Sequence, residues 1–206
     1  HRFYKVPMHK LFPIKLGFNN KKYYPIKKIR KKFFLIIGRH NPHKNLRRVI
    51  KAFAYSKIND YKLIFVGPFD KRHTPILLKL IDKHNIRHLC VWKGWIDDDE
   101  KLSLLNECHA LIIASLWEGF GLPALEAMAC GTPVIASDRG ALREVMGNYG
   151  YFINPFNIQS IACAMKAVIN DKKCFEKALQ EGPSRAESFN WLDTARTIEK
   201  IIQEID

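Results

Sequence analysis

The first 32 residues contain no acid at all, against eleven Lys and Arg. The other 174 residues carry 23 basic and 20 acidic groups, so nearly all of the formal net charge of +14 belongs to that opening stretch. A charge block of this kind suits a solvated linker, a surface facing anionic lipid or an acidic partner, or, less well, a nucleic-acid arm. No nucleic-acid motif accompanies it, so no nucleic-acid partner is expected.

Long apolar runs are missing too. The longest, such as Ala110 to Ala114, fall far short of the ~20 residues needed to cross a bilayer. The N-terminus is basic but lacks the sustained apolar stretch of a signal peptide. The chain starts on His1, as a fragment or processed chain would. Cysteine is sparse and odd in number: Cys90, Cys108, Cys130, Cys163 and Cys174, with no C-x-x-C spacing. Free thiols buried in a reducing cytoplasm are the expectation. No acids or histidines recur at metal-ligand spacing. Asp97 to Asp99 read as the acidic start of a helix, and His84 and His88 straddle a helix end. His40 and His43, in a loop without a carboxylate partner, read as surface residues. No repeat or low-complexity segment is present.

What the chain does have is alternation. From residue 33 short apolar runs read as strands: FFLIIG (33–38), KLIFVG (62–67), LCVWKG (89–94), ALIIAS (110–115), PVIAS (133–137) and GYFIN (150–154). Amphipathic stretches lie between them. In 45–57, Leu46, Val49, Ile50 and Phe53 share one helical face. Further helices are expected near 75–85, from Asp97 through Leu105, at 123–130, at 141–146, and from 157 to the end. Strands alternating with helices imply right-handed βαβ units and an α/β fold, a Rossmann-like parallel six-stranded sheet flanked by helices. The expected organisation is a basic segment at 1–32, the sheet domain at 33–188 and a closing helix at 189–206.

Ligands of such sheets bind at the carboxyl ends of the strands. The first such loop, Gly38 to Asn45, reads GRHNPHKN. Arg39 offers a planar fork of donors, and Lys44 sits as a point charge near a helix start. Backbone N–H groups and the helix dipole favour an anion at the same place, so the loop suits a diphosphate. A solvated basic loop is the plainer alternative. A second loop, around Gly94, Trp95 and Ile96, precedes the acidic helix start.

The third loop is the most unusual: SLWEGFGLPALEAMACGTPVIASD (115–138) sets Glu118 and Glu126 on either side of Gly119, Phe120, Gly121, Leu122 and Pro123. Pro123 suits a first helical turn, which would also hold Glu126, where an acid complements the dipole. The two glycines let backbone approach a ligand. A carboxylate on each side can accept bonds from neutral hydroxyls. Phosphate in the middle with hydroxyls on both sides describes a sugar–diphosphate–ribose. The same stretch also fits G-x-G-x-x-A, with Asp138 nineteen residues after Gly119, which is the spacing of a dinucleotide fingerprint. Against it stand the short intervening helix, the motif's place on the fourth strand and the unexplained Arg39/Lys44 loop.

EGFGLPALEAMACGTPVIASD resembles the signature of group 1 glycosyltransferases (glycosyltransferase family 4, GT-B fold), with its E-x7-E pair at Glu118 and Glu126. GRHNPHKN resembles the family's G-R-x4-K-N loop. KLGFNNKKYYP (15–25) is similar to its interdomain segment, and FNWLDTARTIEKI (189–201) to its closing helix. The resemblance implies the C-terminal, nucleotide-sugar-binding half of a GT-B enzyme that transfers a sugar with retention, without metal or other cofactor, from a nucleoside diphosphate sugar. It implies that Arg39 and Lys44 hold the diphosphate and, with Glu118, carry catalysis. It further implies that Glu118 accepts bonds from the donor sugar, Glu126 from the ribose, that Gly38 and Gly119 to Leu122 line the site, and that Gly94, Trp95 and Ile96 meet the base. The acceptor domain would lie in an N-terminal half. This half alone is expected to bind donor without useful turnover, in the cytoplasm and in peripheral contact with anionic membrane. An NAD(P)-dependent oxidoreductase and a non-catalytic donor-binding partner subunit are the alternatives.

Overall fold

The computed structural model describes residues 5–205. The six expected strands all form: β1 (Phe33–Ile37), β2 (Lys62–Val66), β3 (Cys90–Lys93), β4 (Ala110–Ile113), β5 (Val134–Ser137) and β6 (Tyr151–Ile153). They pair in parallel in the order β3-β2-β1-β4-β5-β6. Chain order therefore reverses between β1 and β4, where Phe34 lies opposite Ala110 and Leu35 opposite Leu111. Both central strands are apolar along their length because helices cover both faces of the sheet.

Among the described residues eight α-helices accompany the strands: α1 (Leu46–Ser56), α2 (Thr74–Lys83), α3 (Asp98–Glu107), α4 (Leu122–Ala129), α5 (Leu142–Met146), α6 (Ile158–Asn170), α7 (Cys174–Glu187) and α8 (Trp191–Ile205). Leu46, Val49, Ile50 and Phe53 of α1 are all buried, as their spacing predicts. Successive side chains of β1 point to opposite faces. Phe34 joins the core beneath α1, α2 and α6, with Phe65 and Ile81. Leu35 joins the core beneath α3, α4, α5 and α7, with Leu105 and Met128. Asp97 caps α3 by accepting the Glu100 N–H at 2.8 Å.

A solvated linker does not describe residues 17–31. Phe18 and Tyr23 are buried in the α3–α4 core. The Arg30 guanidinium donates to the carbonyls of Leu105, Cys108 and Gly131 and to Thr132 Oγ1. Lys28 and Lys31 pair with Glu107, and Lys32 with Asp60. Phe18 N donates to the Phe189 carbonyl, Thr194 Oγ1 donates to that of Lys15, and Gly17 packs on the backbone at the start of α8. Residues 1–4 of the basic stretch and Asp206 of the closing helix lie outside the described residues. Among the described residues no helix is long and apolar enough to cross a membrane. All five cysteines are free. Cys108, Cys130 and Cys174 are buried as expected, but Cys163 is exposed on the outer side of α6.

Candidate active site

The β1–α1 and β4–α4 loops meet over the reversal point. The Leu116 N–H donates to the His43 carbonyl at 2.7 Å. Asn45, in the left-handed conformation (φ 60°), reaches further. Its Nδ2 donates to the carbonyls of Ala114 at 2.9 Å and Pro155 at 2.7 Å, tying three loops together. Sequence reasoning passed over Asn45. Its signal was an Asn, a residue that tolerates positive φ, directly before a helical run.

That frame brings Lys44 to Glu118. Lys44 ends a single 3-10 turn (Pro42–Lys44), and its Nζ lies 2.6 Å from Glu118 Oε1, with both side chains largely shielded from solvent. The same oxygen accepts from Ser115 Oγ at 2.5 Å. The lysine stem crosses Gly38, where a Cβ would stand 3.3 Å from Lys44 Cε. Gly140 secures the far side of Glu118: at φ +63° it lies so close that a Cβ would collide with the Glu118 carbonyl, which also accepts from Ala141 N at 3.2 Å. Arg39 projects into solvent without an ion pair among the described residues.

His40 is not a surface residue. It is buried, with Nδ1 2.7 Å from Thr74 Oγ1 and its ring edge-on to Trp92, and burial lowers its pKa below the usual imidazole value. His43 is exposed as expected.

Glu126 departs from its expected position. Gly121, at φ 93°, starts the helix, so Leu122 is its first residue, Pro123 its second and Glu126 its fifth, beyond the first turn. Its partner is a side chain rather than the dipole. Glu126 is buried, and Lys101 Nζ of α3 lies 2.6 Å from its Oε1. Lys101 also covers the Tyr23 ring, 5.3 Å from its centroid. Burial, then the carboxylates of Glu126 and Asp98, raise the Tyr23 pKa, so its hydroxyl stays protonated and donates to Asp98. Glu126 Oε2 is buried without a hydrogen-bond partner among the described residues. It is a desolvated acceptor, suited to a hydroxyl donor.

The remaining predicted residues divide by surroundings. Gly119 is exposed, and a Cβ there would meet nothing within 4 Å. Gly121 is fixed by its φ and by Leu142, whose Cδ2 would lie 2.6 Å from a Cβ. Phe120 is half-buried and packs edge-on against Phe189, so it is held by the fold as well as by the loop. Leu122 is exposed. After β3, Gly94 faces open space, Trp95 is 83% exposed, and Ile96 packs on the core. The structure thus joins Lys44 to Glu118 directly. Glu126 lies in a separate ion pair one helical turn further along.

Comparison with known proteins bears on the family and the fold. Residues 20–185 match the family described as Glycosyl transferases group 1. The O-antigen chain mannosyltransferase B of Escherichia coli is 29% identical over 170 residues, which cover 81% of this chain and 44% of that protein. The C-terminal domain of the group 1 glycosyl transferase LpcC from Francisella tularensis is 27% identical, with a TM-score of 0.72 over 84% of this chain and 97% of that one. HepE from Anabaena, solved with UDP and glucose, shares the fold at 20% identity, with a TM-score of 0.82 over 91% of this chain and 55% of that one. The chain spans less than half the length of the curated relatives it matches. With a family match over most of its length and the parallel sheet of GT-B enzymes, this chain belongs to the group 1 glycosyltransferases.

Proposed function

We propose that this chain is the donor-binding part of a retaining glycosyltransferase that moves a hexosyl group from a nucleoside diphosphate sugar to an acceptor in glycan or glycolipid synthesis. The observation that carries this reading is the pairing of Lys44 with Glu118 at the β1–β4 reversal, beside a glycine with open space above it. A cation for phosphate and a carboxylate for sugar hydroxyls then stand side by side, and Arg39 adds a second cation from the same loop. The partnerless Glu126 Oε2 suits a ribose hydroxyl. The relatives named as mannosyltransferases and the neighbour solved with UDP and glucose support the same ligand class.

In this scheme the donor's glycosidic bond breaks toward an oxocarbenium-like centre, and negative charge grows on the leaving diphosphate. Lys44, held by Glu118, stabilises that charge from a fixed position, which avoids reorganisation at the moment of reaction, and the solvent-exposed Arg39 adds to it. Glu118 orients the sugar. The scheme needs no metal. The basic N-terminal stretch would hold the enzyme at an anionic membrane face on the cytoplasmic side.

Thermal denaturation with UDP, GDP, their hexose derivatives and NAD tests the assignment. A rise in Tm with a nucleoside diphosphate and its sugar, and none with NAD, is expected. Stabilisation by NAD alone would return the loop to its dinucleotide reading.

A further inference from the structure

On the opposite side of the β1–α1 loop from Lys44 and Gly38, a cavity of about 640 Å³ opens between α1, α2 and the β6–α6 loop. Its floor is apolar, formed by Leu46, Leu77, Leu116 and Ile158. Its rim is cationic, with Arg47, Arg48 and Lys51 from α1, and His73 just before α2 also lines it. Among the described residues the lining holds no carboxylate. Phe156, half exposed, closes one side and lies under the Arg48 guanidinium at 5.5 Å.

The charges at this rim are unfavourable for the helix that bears them. Arg47 and Arg48 stand in the first turn of α1, where the dipole favours acids, and that turn has none. Arg47 and Lys51 are also like charges at i, i+4 spacing. Neither has an ion pair among the described residues, whereas many other basic residues of the chain do. Arg48 donates to Asn45 Oδ1 at 3.0 Å and lies over Phe156, but folding and packing give no reason for the charges of Arg47 and Lys51. An anion between them would supply one. The cavity is in the size range of small-molecule sites, and its concave, apolar floor fits a ligand body rather than a flat bilayer.

We propose that this cavity binds a small phosphorylated compound with an apolar body, its phosphoryl group between Arg47 and Lys51 and its body on Leu46 and Leu77. The site is separate from the donor crevice. The two meet at Leu46 but use different cations.

Phenyl phosphate is the probe, with benzyl alcohol and inorganic phosphate as partial ligands. Titration of isotope-labelled protein should shift the amide signals of Ile76, Leu77 and Phe156, with phenyl phosphate the tightest of the three. Arg47→Ala with Lys51→Ala should weaken it about tenfold or more, the scale of lost hydrogen bonds to charged groups, while Arg39→Ala with Lys44→Ala leaves it unchanged. Both α1 side chains reach solvent, so the folded state tolerates their loss. Three results would overturn the proposal: no shift at millimolar probe, shifts abolished by the Arg39/Lys44 pair instead, or flotation with phosphatidylglycerol vesicles that depends on Arg47 and Lys51 while phenyl phosphate does not bind. The readout does not depend on the donor assignment, so the two readings can fail separately.

Discussion

Lys44 and Glu118 are 74 residues apart in the chain and 2.6 Å apart in the fold. Each lies on the loop that leaves a central strand, and the parallel order β1–β4 sets those two loops side by side. An ammonium has three hydrogens, so Lys44 can keep Glu118 and still donate to a phosphate oxygen. Lys44→Ala is expected to weaken nucleoside diphosphate binding by about 1.5–3 kcal/mol, the range for a hydrogen bond to a charged group. Arg39→Ala should do the same. Binding of the bare nucleoside should not change. Glu118→Ala should spare the free diphosphate and penalise only the nucleotide sugar. Calorimetry with all three ligands separates these profiles, and equal losses for nucleoside and diphosphate in Lys44→Ala would remove the lysine from the phosphate.

The second carboxylate has a structural duty as well. Glu126 is buried with Lys101 as its counter-charge. Lys101→Met leaves that carboxylate uncompensated and should cost up to about 3 kcal/mol of stability, less than a fully buried pair because Lys101 keeps some solvent contact. Lys101→Met with Glu126→Gln should recover most of it. Urea denaturation of the two variants measures the difference. Glu126→Gln alone should weaken a ribonucleotide more than its 2′-deoxy analogue. Equal weakening of both would detach Glu126 from the ribose.

Two buried imidazoles set the acid side of the stability curve. Burial lowers the pKa of His40 and of His109, the second despite the Val168 carbonyl that favours its protonated form. The unfolded chain therefore takes up these protons first, near the usual 6.5. Their contribution is complete above that value and is lost as pH falls through the lowered folded values. The urea midpoint should drop between pH 7 and pH 5.5, before most carboxylates titrate. A flat midpoint across that window would show that these rings are accessible to protons in the folded state.

Much of the architecture was readable because apolar runs alternate with amphipathic ones, and that pattern has few solutions. FFLII and ALII are apolar throughout since both faces are covered, and each was found within two residues of its observed end. The two glutamates of the candidate site stand out in the sequence because a glycine-rich turn with flanking acids has few structural uses. What could not be read was the partner of each. Lys101 belongs to a helix that sequence reasoning treated as capping chemistry, and only the packing of α3 on α4 brings it to Glu126. His40 looked like a surface residue because its neighbours in the chain are polar. Its neighbours in space are Trp92 and Thr74, from β3 and α2. Residues 17–31 looked solvated because charge was counted, and the acids that pair with those lysines lie on other segments.

Gly119 gives the sharpest test of whether this loop is built for a ligand. Gly121, two residues on, is required by the protein itself: its φ is 93° and a Cβ would strike Leu142. Gly119 has neither constraint, since its φ lies outside the positive range and a Cβ would face open space. Nothing in the folded chain calls for glycine there, and glycine costs unfolded-state entropy. Gly119→Ala should therefore leave stability unchanged or raise it by about 0.4–1 kcal/mol. If the loop's backbone closes on a nucleotide sugar, the added methyl stands where the ligand must lie, and affinity for the sugar donor should fall at least tenfold. Gly121→Ala should do the reverse in order, losing stability first and affinity as a consequence. Thermal melts and calorimetry on the two variants make the comparison. A Gly119→Ala protein that melts normally and binds the nucleotide sugar as tightly as the parent would place the donor away from this turn.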